Sequence, residues 1–327
     1  MKVYLGIDVG SVTTKMAVLD ENDELVSHTY RPTQGNPTRA VQQGLEQVSQ
    51  CLPEDADIYG VATTGSARSL AGAIVGADFV KNEITCQAVA ALRYMPYVQT
   101  IIEIGGQDSK IIIIRDGIVT DFDMNTVCAA GTGSFLDHQA QRLNISIDEF
   151  SRLALASNTP VHISGRCTVF AESDMITKQQ TGYRTESIVY GLCQTLVRNY
   201  LSDVGLGKDI KPPVLFQGGV AFNQGIVRAF QEELDTEIII PPHHEIMGAI
   251  GAALLVHEEI TGNKSKFKGF GVSAIDYYSS SFECQACPYQ CEIVQLCLNG
   301  QVLARWGGCC DLWQTAQETE SLSRVNR

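Results

Sequence analysis

Residues Ile7 to Lys15 read Ile-Asp-Val-Gly-Ser-Val-Thr-Thr-Lys, and 95 positions further on Ile102 to Lys110 read Ile-Glu-Ile-Gly-Gly-Gln-Asp-Ser-Lys. Acid, glycine and lysine recur in one register, Asp8, Gly10 and Lys15 matching Glu103, Gly105 and Lys110. Each set joins an apolar run before it (Val3 to Ile7, Thr100 to Ile104) to one after it (Met16 to Leu19, Ile111 to Ile114). The pattern predicts a strand, a tight turn and a strand, twice. A glycine turn lets backbone N–H groups approach phosphate oxygens. Hydroxyls, amides and lysines at Ser11, Thr13, Thr14, Lys15, Gly106 and Gln107 can touch the same anion, and the carboxylates of Asp8, Glu103 and Asp108 can hold Mg²⁺ through water. One copy alone reads equally well as a plain β-hairpin. Two copies in one register point to paired devices gripping a nucleotide from both sides, in a pseudo-twofold protein with halves of roughly 100 residues.

The chain has 327 residues, 44% of them apolar, enough for a large core and two or three domains. A net charge of −13 disfavours binding to phosphodiester backbones or anionic lipid, so neither nucleic acid nor membrane is an expected partner. Met1 to Ile7 leads straight into a strand without a signal peptide, and no apolar stretch reaches membrane-spanning length, so a cytoplasmic protein is expected. Eleven cysteines in such a protein point away from disulfide staples and toward metal, redox chemistry or ordinary burial. Cys51, Cys86 and Cys193 stand alone in amphipathic or apolar stretches and read as buried thiols.

Helical periodicity covers Pro37 to Cys51, a short strand Ile58 to Ala62 ends at Thr63-Thr64-Gly65-Ser66, and Asn82 to Tyr94 is again helical. A first half therefore spans 1–95. The second, 96–262, opens with its own hairpin, turns at Asp116-Gly117, and carries predicted helices over Ser134 to Leu143, Ile147 to Ser157 and Thr185 to Ser202. Val214 to Asn223 reads as a buried strand whose paired glycines suit close approach to a flat or anionic group, which assigns Gly218, Gly219, Val220 and Asn223 to adenosine. Glu237 to Ile240 is a further strand, Met247 to Ala253 starts a small-residue helix that can pack back on the first half, and 263–327 forms a cysteine-rich segment.

Cys128 and Cys167 each stand just before residues that begin a helix, Cys128 in Cys-Ala-Ala-Gly-Thr-Gly-Ser and Cys167 in Cys-Thr-Val-Phe-Ala-Glu-Ser. Free N–H groups and the positive dipole end at such a place stabilise anionic sulfur. Two ligands cannot complete a four-cysteine cluster, but a C₂ dimer supplies four. From the residues alone, cluster ligands, buried thiols and a redox pair all stand.

These runs, with Asn82-Glu83-Ile84-Thr85-Cys86 and Gly218-Gly219-Val220-Ala221-Phe222-Asn223, occur in an order that resembles the ATPase activators of 2-hydroxyacyl-CoA dehydratases and the related benzoyl-CoA reductase ATPase subunits, over about residues 1 to 260. The resemblance implies an α/β fold of the actin/Hsp70/sugar-kinase (ribonuclease H-like) type, ATP/ADP and Mg²⁺ as ligands, and a homodimer. It also implies one [4Fe-4S] cluster shared by two subunits through Cys128 and Cys167 of each. Ferredoxin or flavodoxin would be the electron source, and a 2-hydroxyacyl-CoA dehydratase or other iron–sulfur reductase the acceptor. A small-molecule acyl or sugar kinase of the same fold, or an ATP-dependent scaffold, are the rival functions.

The tail departs from the short activators. Cys284, Cys287 and Cys291 stand as C-x₂-C-x₃-C, followed by Cys297, Cys309 and Cys310. The spacing of Cys284, Cys287 and Cys291 with a later cysteine fits a small metal knuckle, and the segment is similar to one in larger relatives of the activators, a resemblance in which the final cysteine aligns with Cys310. Zinc, a second iron–sulfur cluster and free thiols are all open. His162, His243 and His244 carry no assignment.

Overall fold

The computed structural model describes residues 1–165, 167–262 and 265–313. Arg166, within the predicted cysteine motif, and the end of the 263–327 segment lie outside the described residues. The chain divides into two compact units, Met1–Gly10 with Thr14–Asn82 and the chain from Ala252, and Ser11–Thr13 with Glu83–Gly251.

The first unit starts with strands β1 (Lys2–Val9), β2 (Thr13–Asp20) and β3 (Leu25–Pro32), followed by helix α1 (Pro37–Cys51), strand β4 (Asp57–Thr64), helix α2 (Arg68–Val75) and the short β5 (Phe79–Val80). The sheet order is β3-β2-β1-β4-β5. β1 runs antiparallel to β2 and parallel to β4, so both its edges are paired, and from Val3 to Val9 every residue is buried, which shows that both its faces are covered. α1 begins where the sequence signals it. Pro37 occupies its first turn, and the Asn36 side chain caps it by accepting the Arg39 N–H at 3.0 Å. Its inner face sets Val41, Leu45 and Val48 against Val3, Leu5, Met16 and Val18.

In the second unit helix α3 (Glu83–Tyr94) leads to β6 (Thr100–Ile104), β7 (Ser109–Arg115) and β8 (Ile118–Asn125). Helices α4 (Gly133–Leu143), α5 (Ile147–Ala156), α6 (Thr168–Gln180) and α7 (Thr185–Asp203) come next, then β9 (Val214–Gln217), α8 (Gln224–Leu234), β10 (Ile238–Ile239) and α9 (Met247–Glu259). The sheet order, β10-β9-β6-β7-β8, read backwards is the order of the first sheet. Directions agree as well: β6 pairs antiparallel with β7 and parallel with β9, as β1 does with β2 and β4. The duplicated motif thus sits in a duplicated sheet. Asp8 faces Lys15 across one hairpin, and Glu103 faces Lys110 across the other.

The unit boundaries differ from 95/96 and 262/263. α3 joins the second unit because Ala88, Ala91 and Met95 bury against Ile101, Ile112 and Leu215. The far end of α9 joins the first, where Val256 lies against Gly60 and His257 stacks on Tyr4 at 4.0 Å. The cysteine-rich segment is also part of the first unit: Val272 and Leu296 are in its core, with Phe270, Leu303 and Trp306 packed on them. The segment forms an antiparallel sheet of β11 (Tyr278–Glu283), β12 (Glu292–Leu298) and β13 (Gln301–Trp306). Asn299 and Gly300, both at positive φ, make the two-residue turn between the last two strands. The predicted Val214 to Asn223 strand stops at Gln217, and Gly219–Phe222 is a single 3₁₀ turn.

Candidate functional site

In the first hairpin the Lys15 ammonium lies 3.2 Å from an Asp8 carboxylate oxygen, and Asp8 is 6% exposed. Gly65, at φ +91°, closes over this carboxylate: a Cβ there would lie 2.6 Å from Asp8 Oδ1 and 2.5 Å from the Val9 carbonyl oxygen. Only glycine allows that approach. Thr14 corrects the expectation of a phosphate contact. It is fully buried, on the same side of β2 as Met16 and Val18, and its hydroxyl lies 2.9 Å from Thr33 Oγ1, which donates to the Gly10 carbonyl at 2.9 Å. Thr14 therefore braces the turn from beneath, while Ser11, Thr13 and Lys15 keep some exposure.

The second hairpin holds a denser charge cluster. Lys110, 2% exposed, has Asp108 at 2.7 Å, Glu103 at 2.9 Å and Glu83 at 3.1 Å. Burial pulls the ammonium's pKa down, but the carboxylates of Glu103, Asp108 and Glu83 outweigh it and hold the pKa well above the ordinary lysine value. Glu83, from the start of α3, is the member without an assigned role in the sequence; its only signal is the Asn82–Cys86 motif. Beneath the cluster the Tyr200 hydroxyl donates to the Lys110 carbonyl at 2.7 Å. The turn is pinned from within by the Gly105 N–H donating to the Asp108 carbonyl at 3.0 Å. From outside, the Gly133 N–H donates to the Gly105 carbonyl at 2.9 Å, and the Ser134 N–H and hydroxyl donate to the Gly106 carbonyl at 2.8 and 2.6 Å. The first residues of α4 thus hold the Gly105–Gly106 turn by its backbone, and Gln107 stays exposed at the tip.

Gly218 stands at φ +93°, with room for no side chain: a Cβ would lie 2.4 Å from the Ile104 carbonyl oxygen and 2.9 Å from Glu103 Oε1. The backbone after β9 therefore passes directly over the acid of the second hairpin. His244 returns along it, its carbonyl accepting the Gly218 N–H at 2.8 Å and its Nδ1 lying 3.0 Å from the Gly218 carbonyl oxygen. Gly219 and Val220 follow in the 3₁₀ turn. Asn223 caps α8, its Oδ1 accepting the Gly225 and Ile226 N–H groups.

Cys128 and Cys167 occupy the cap positions the sequence predicts, with a difference. Cys167 caps the long α6, whereas Cys128 caps a three-residue 3₁₀ turn, Ala129–Gly131, and α4 starts only at Gly133. Asn125 fixes the Cys128 loop, its amide donating to the Cys128 carbonyl at 2.8 Å and its Oδ1 accepting the Cys128 N–H at 2.9 Å. On the other segment Asp174 accepts the Ser164 N–H at 2.8 Å. Both thiols are partly exposed, and apolar side chains next to them face outward, Val127 95%, Val169 67% and Phe170 68% exposed.

A sheet of this order present twice, with an acid–lysine hairpin at the same place in each copy, defines a duplicated ribonuclease H-like ATPase of the actin/Hsp70/sugar-kinase class. The chain belongs to the BadF/BadG/BcrA/BcrD ATPase family, whose profile matches residues 5–256. It is 36% identical over 267 residues to the (R)-2-hydroxyglutaryl-CoA dehydratase activating ATPase of Acidaminococcus fermentans, covering 79% of this chain and 99% of that one. The crystal structure of component A of that dehydratase superposes with a TM-score of 0.72 over 79% of this chain and 99% of its own. The activator of the 2-hydroxyisocaproyl-CoA dehydratase from Clostridium difficile, solved with bound ADPNP, gives 0.69 at 32% identity over 80% and 99% of the two chains. A ROK family glucokinase from Streptomyces griseus, 14% identical with a TM-score of 0.51 over 78% and 99%, shares the fold alone. Among the described residues no helix is long and apolar enough to cross a membrane.

Proposed function

We propose that this ATPase is an activator of a 2-hydroxyacyl-CoA dehydratase or a related iron–sulfur reductase, coupling ATP binding and hydrolysis to the delivery of one low-potential electron from a [4Fe-4S] cluster shared by a homodimer. The observation that carries the reading is the link between the second phosphate hairpin and Cys128. Gly133 and Ser134, five and six residues after this cysteine, donate three hydrogen bonds to the Gly105 and Gly106 carbonyls. Asn199 donates to the Ala130 carbonyl at 3.3 Å, and its neighbour Tyr200 donates to Lys110. A change of the turn on γ-phosphate loss is thereby passed to the Cys128 loop through a few rigid hydrogen bonds.

The residues fit a shared cluster. Each chain offers two partly exposed thiols at helical caps, too few for a four-thiolate set, and frames them with outward apolar side chains of the kind that a twofold contact buries. When bound, the cluster supplies one-electron chemistry, with ferredoxin or flavodoxin as its source. Cys128 and Cys167 would hold it, Asn125 and Asp174 would fix their loops, and the backbone N–H groups after each cysteine would offset negative charge on sulfur. Asp8, Glu103 and Asp108 would position Mg²⁺ and its water; Gly10, Ser11, Thr13, Lys15, Gly105, Gly106 and Gln107 would receive the phosphates, and Gly218, Gly219 and Val220 the adenosine. Raising an electron by roughly 300 mV costs about 7 kcal/mol, work that nucleotide chemistry has to supply.

Reconstitution tests the reading. Reduced protein mixed with a 2-hydroxyacyl-CoA dehydratase should switch on dehydration with ATP and not with a non-hydrolysable analogue. A protein that leaves the dehydratase silent and instead phosphorylates a small acid or sugar is the kinase of the same fold.

A further inference from the structure

We propose that the cysteine-rich segment binds a thiophilic metal of its own through a tetrathiolate set made by Cys284, Cys287, Cys291 and one thiol of the Cys309–Cys310 pair. This inference does not rest on the electron-transfer reading, and the segment lies outside the family match at residues 5–256.

Three features of the sheet bring these residues to one end. β11 and β12 pair as far as Glu283 and Glu292, and the Cys284 N–H donates to the Cys291 carbonyl at 2.8 Å, so the two cysteines stand opposite each other where the strands open. The connecting loop carries Cys287, tied back by the Gln290 N–H on its carbonyl at 3.3 Å. β13 then returns alongside β12, Trp306 opposite Val294, and the chain leaves it through Gly307 at φ +106°. A Cβ on Gly307 would lie 2.5 Å from the Glu292 carbonyl oxygen, so only glycine lets this exit pass so close to β12. The exit runs over Glu292 and Ile293, the two residues after Cys291, a Cβ on Gly308 lying 3.4 Å from Ile293 Cδ1, so the Cys309–Cys310 pair leaves the sheet at the end where Cys291 stands.

The surroundings suit thiolate ligands. The Trp313 indole N–H lies 3.2 Å from Cys284 Sγ, and an N–H donor aimed at sulfur is the usual support of a metal-bound thiolate. Cys297, by contrast, is 3% exposed and lies near the far end of β12 opposite Tyr278, away from this end. Among the described residues no three of these sulfurs lie within 4.8 Å of one another. Ligation therefore draws them together by side-chain rotation at the loop and the exit turn, with the Cys284/Cys291 opposition already set by the sheet.

The test uses the full chain, purified anaerobically, carrying Cys128→Ser and Cys167→Ser so that only the other thiols can hold metal. Metal analysis of this protein, before and after addition of Zn²⁺ alone, should find one tightly held centre per chain. Zinc without colour identifies a mononuclear site, and iron with acid-labile sulfide a cluster; either result supports the proposal. Adding Cys287→Ser or Cys291→Ser should lower affinity by roughly tenfold or more, and Cys297→Ser should not. X-ray absorption of the unaltered segment should show sulfur at about 2.3 Å from the metal, a readout that needs no variant to fold. Full reactivity of all tail thiols in the presence of Zn²⁺, or metal retained in both loop variants, overturns the inference.

Discussion

Lys110→Met should destabilise the second unit more than the matching change, Lys15→Met, destabilises the first. The ammonium is 2% exposed and serves Asp108, Glu103 and Glu83 at 2.7, 2.9 and 3.1 Å. Removing it takes the ammonium from the Glu103 side chain, 7% exposed, while Asp108 and Glu83, at 31% and 21%, recover part of their hydration. Breaking a buried pair from one side costs about 3–5 kcal/mol; two partly hydrated partners put the expected value near the lower end, about 3 kcal/mol. For a unit of this size that is a fall in Tm of roughly 6–12 °C. Lys15→Met, in the matching position of the first hairpin but with a 17% exposed side chain, should cost about 1 kcal/mol. The pH dependence has a definite sign. In Lys110→Met the Glu103 carboxyl loses its counter-charge and its folded pKa rises above the unfolded value, so the stability gained by keeping it protonated is complete at low pH and lost as pH rises. The Tm gap to the parent protein should therefore narrow from pH 8 to pH 5. Thermal unfolding followed by circular dichroism, anaerobically and without nucleotide, reads both effects. A fall below 2 °C, a fall matched by Lys15→Met, or a gap that widens on acidification refutes the charge-cluster account.

Gly218→Ala would force a methyl group to 2.4 Å from the Ile104 carbonyl oxygen at φ +93°, costing on the order of 1–3 kcal/mol; nucleotide affinity measured by calorimetry should fall at least tenfold, and unchanged affinity would remove this turn from the adenosine site. Asp8→Asn should lower ATP turnover by a factor on the order of 100 or more with little change in Tm, and intact turnover would show that the first hairpin does not handle Mg-phosphate. Ser134→Ala deletes the 2.6 Å hydrogen bond to the Gly106 carbonyl, a loss of about 1 kcal/mol; it should reduce the number of electrons delivered per ATP more than it reduces ATP hydrolysis, and equal reduction of both would contradict the proposed link.

The hairpins were legible because their pattern is local: alternating chemistry, a glycine turn and a charged cross-strand pair all lie within nine residues, and the repeat doubles the signal. α1 was legible to the residue because Asn36-Pro37 marks its start. Edge elements were not. β8 exposes nearly its whole length, Ile118, Phe122 and Met124 included, so hydrophobic patterning cannot mark it, and β3 lies at the other sheet's edge. The burial of Thr14 and the capping by Asn223 rest on signals that the sequence itself contains. Strand alternation places Thr14 with Met16 and Val18 on the buried side, and an Asn directly before a helical run is a cap signal. Glu83 could not be placed on Lys110 from the chain, because that pairing depends on α3 packing against the second sheet. The tail sheet was hidden behind its cysteines, although Asn299-Gly300 is a strong hairpin-turn signal.

The central claim is that Cys128 and Cys167 of two chains hold one cluster. Iron and acid-labile sulfide should be counted in anaerobically purified protein whose tail thiols Cys287 and Cys291 are replaced by serine, with and without a further Cys128→Ser or Cys167→Ser change. The account predicts one [4Fe-4S] cluster per two chains, lost with its visible absorption in either variant. Iron absent from the starting protein, or retained in full after both changes, would contradict it.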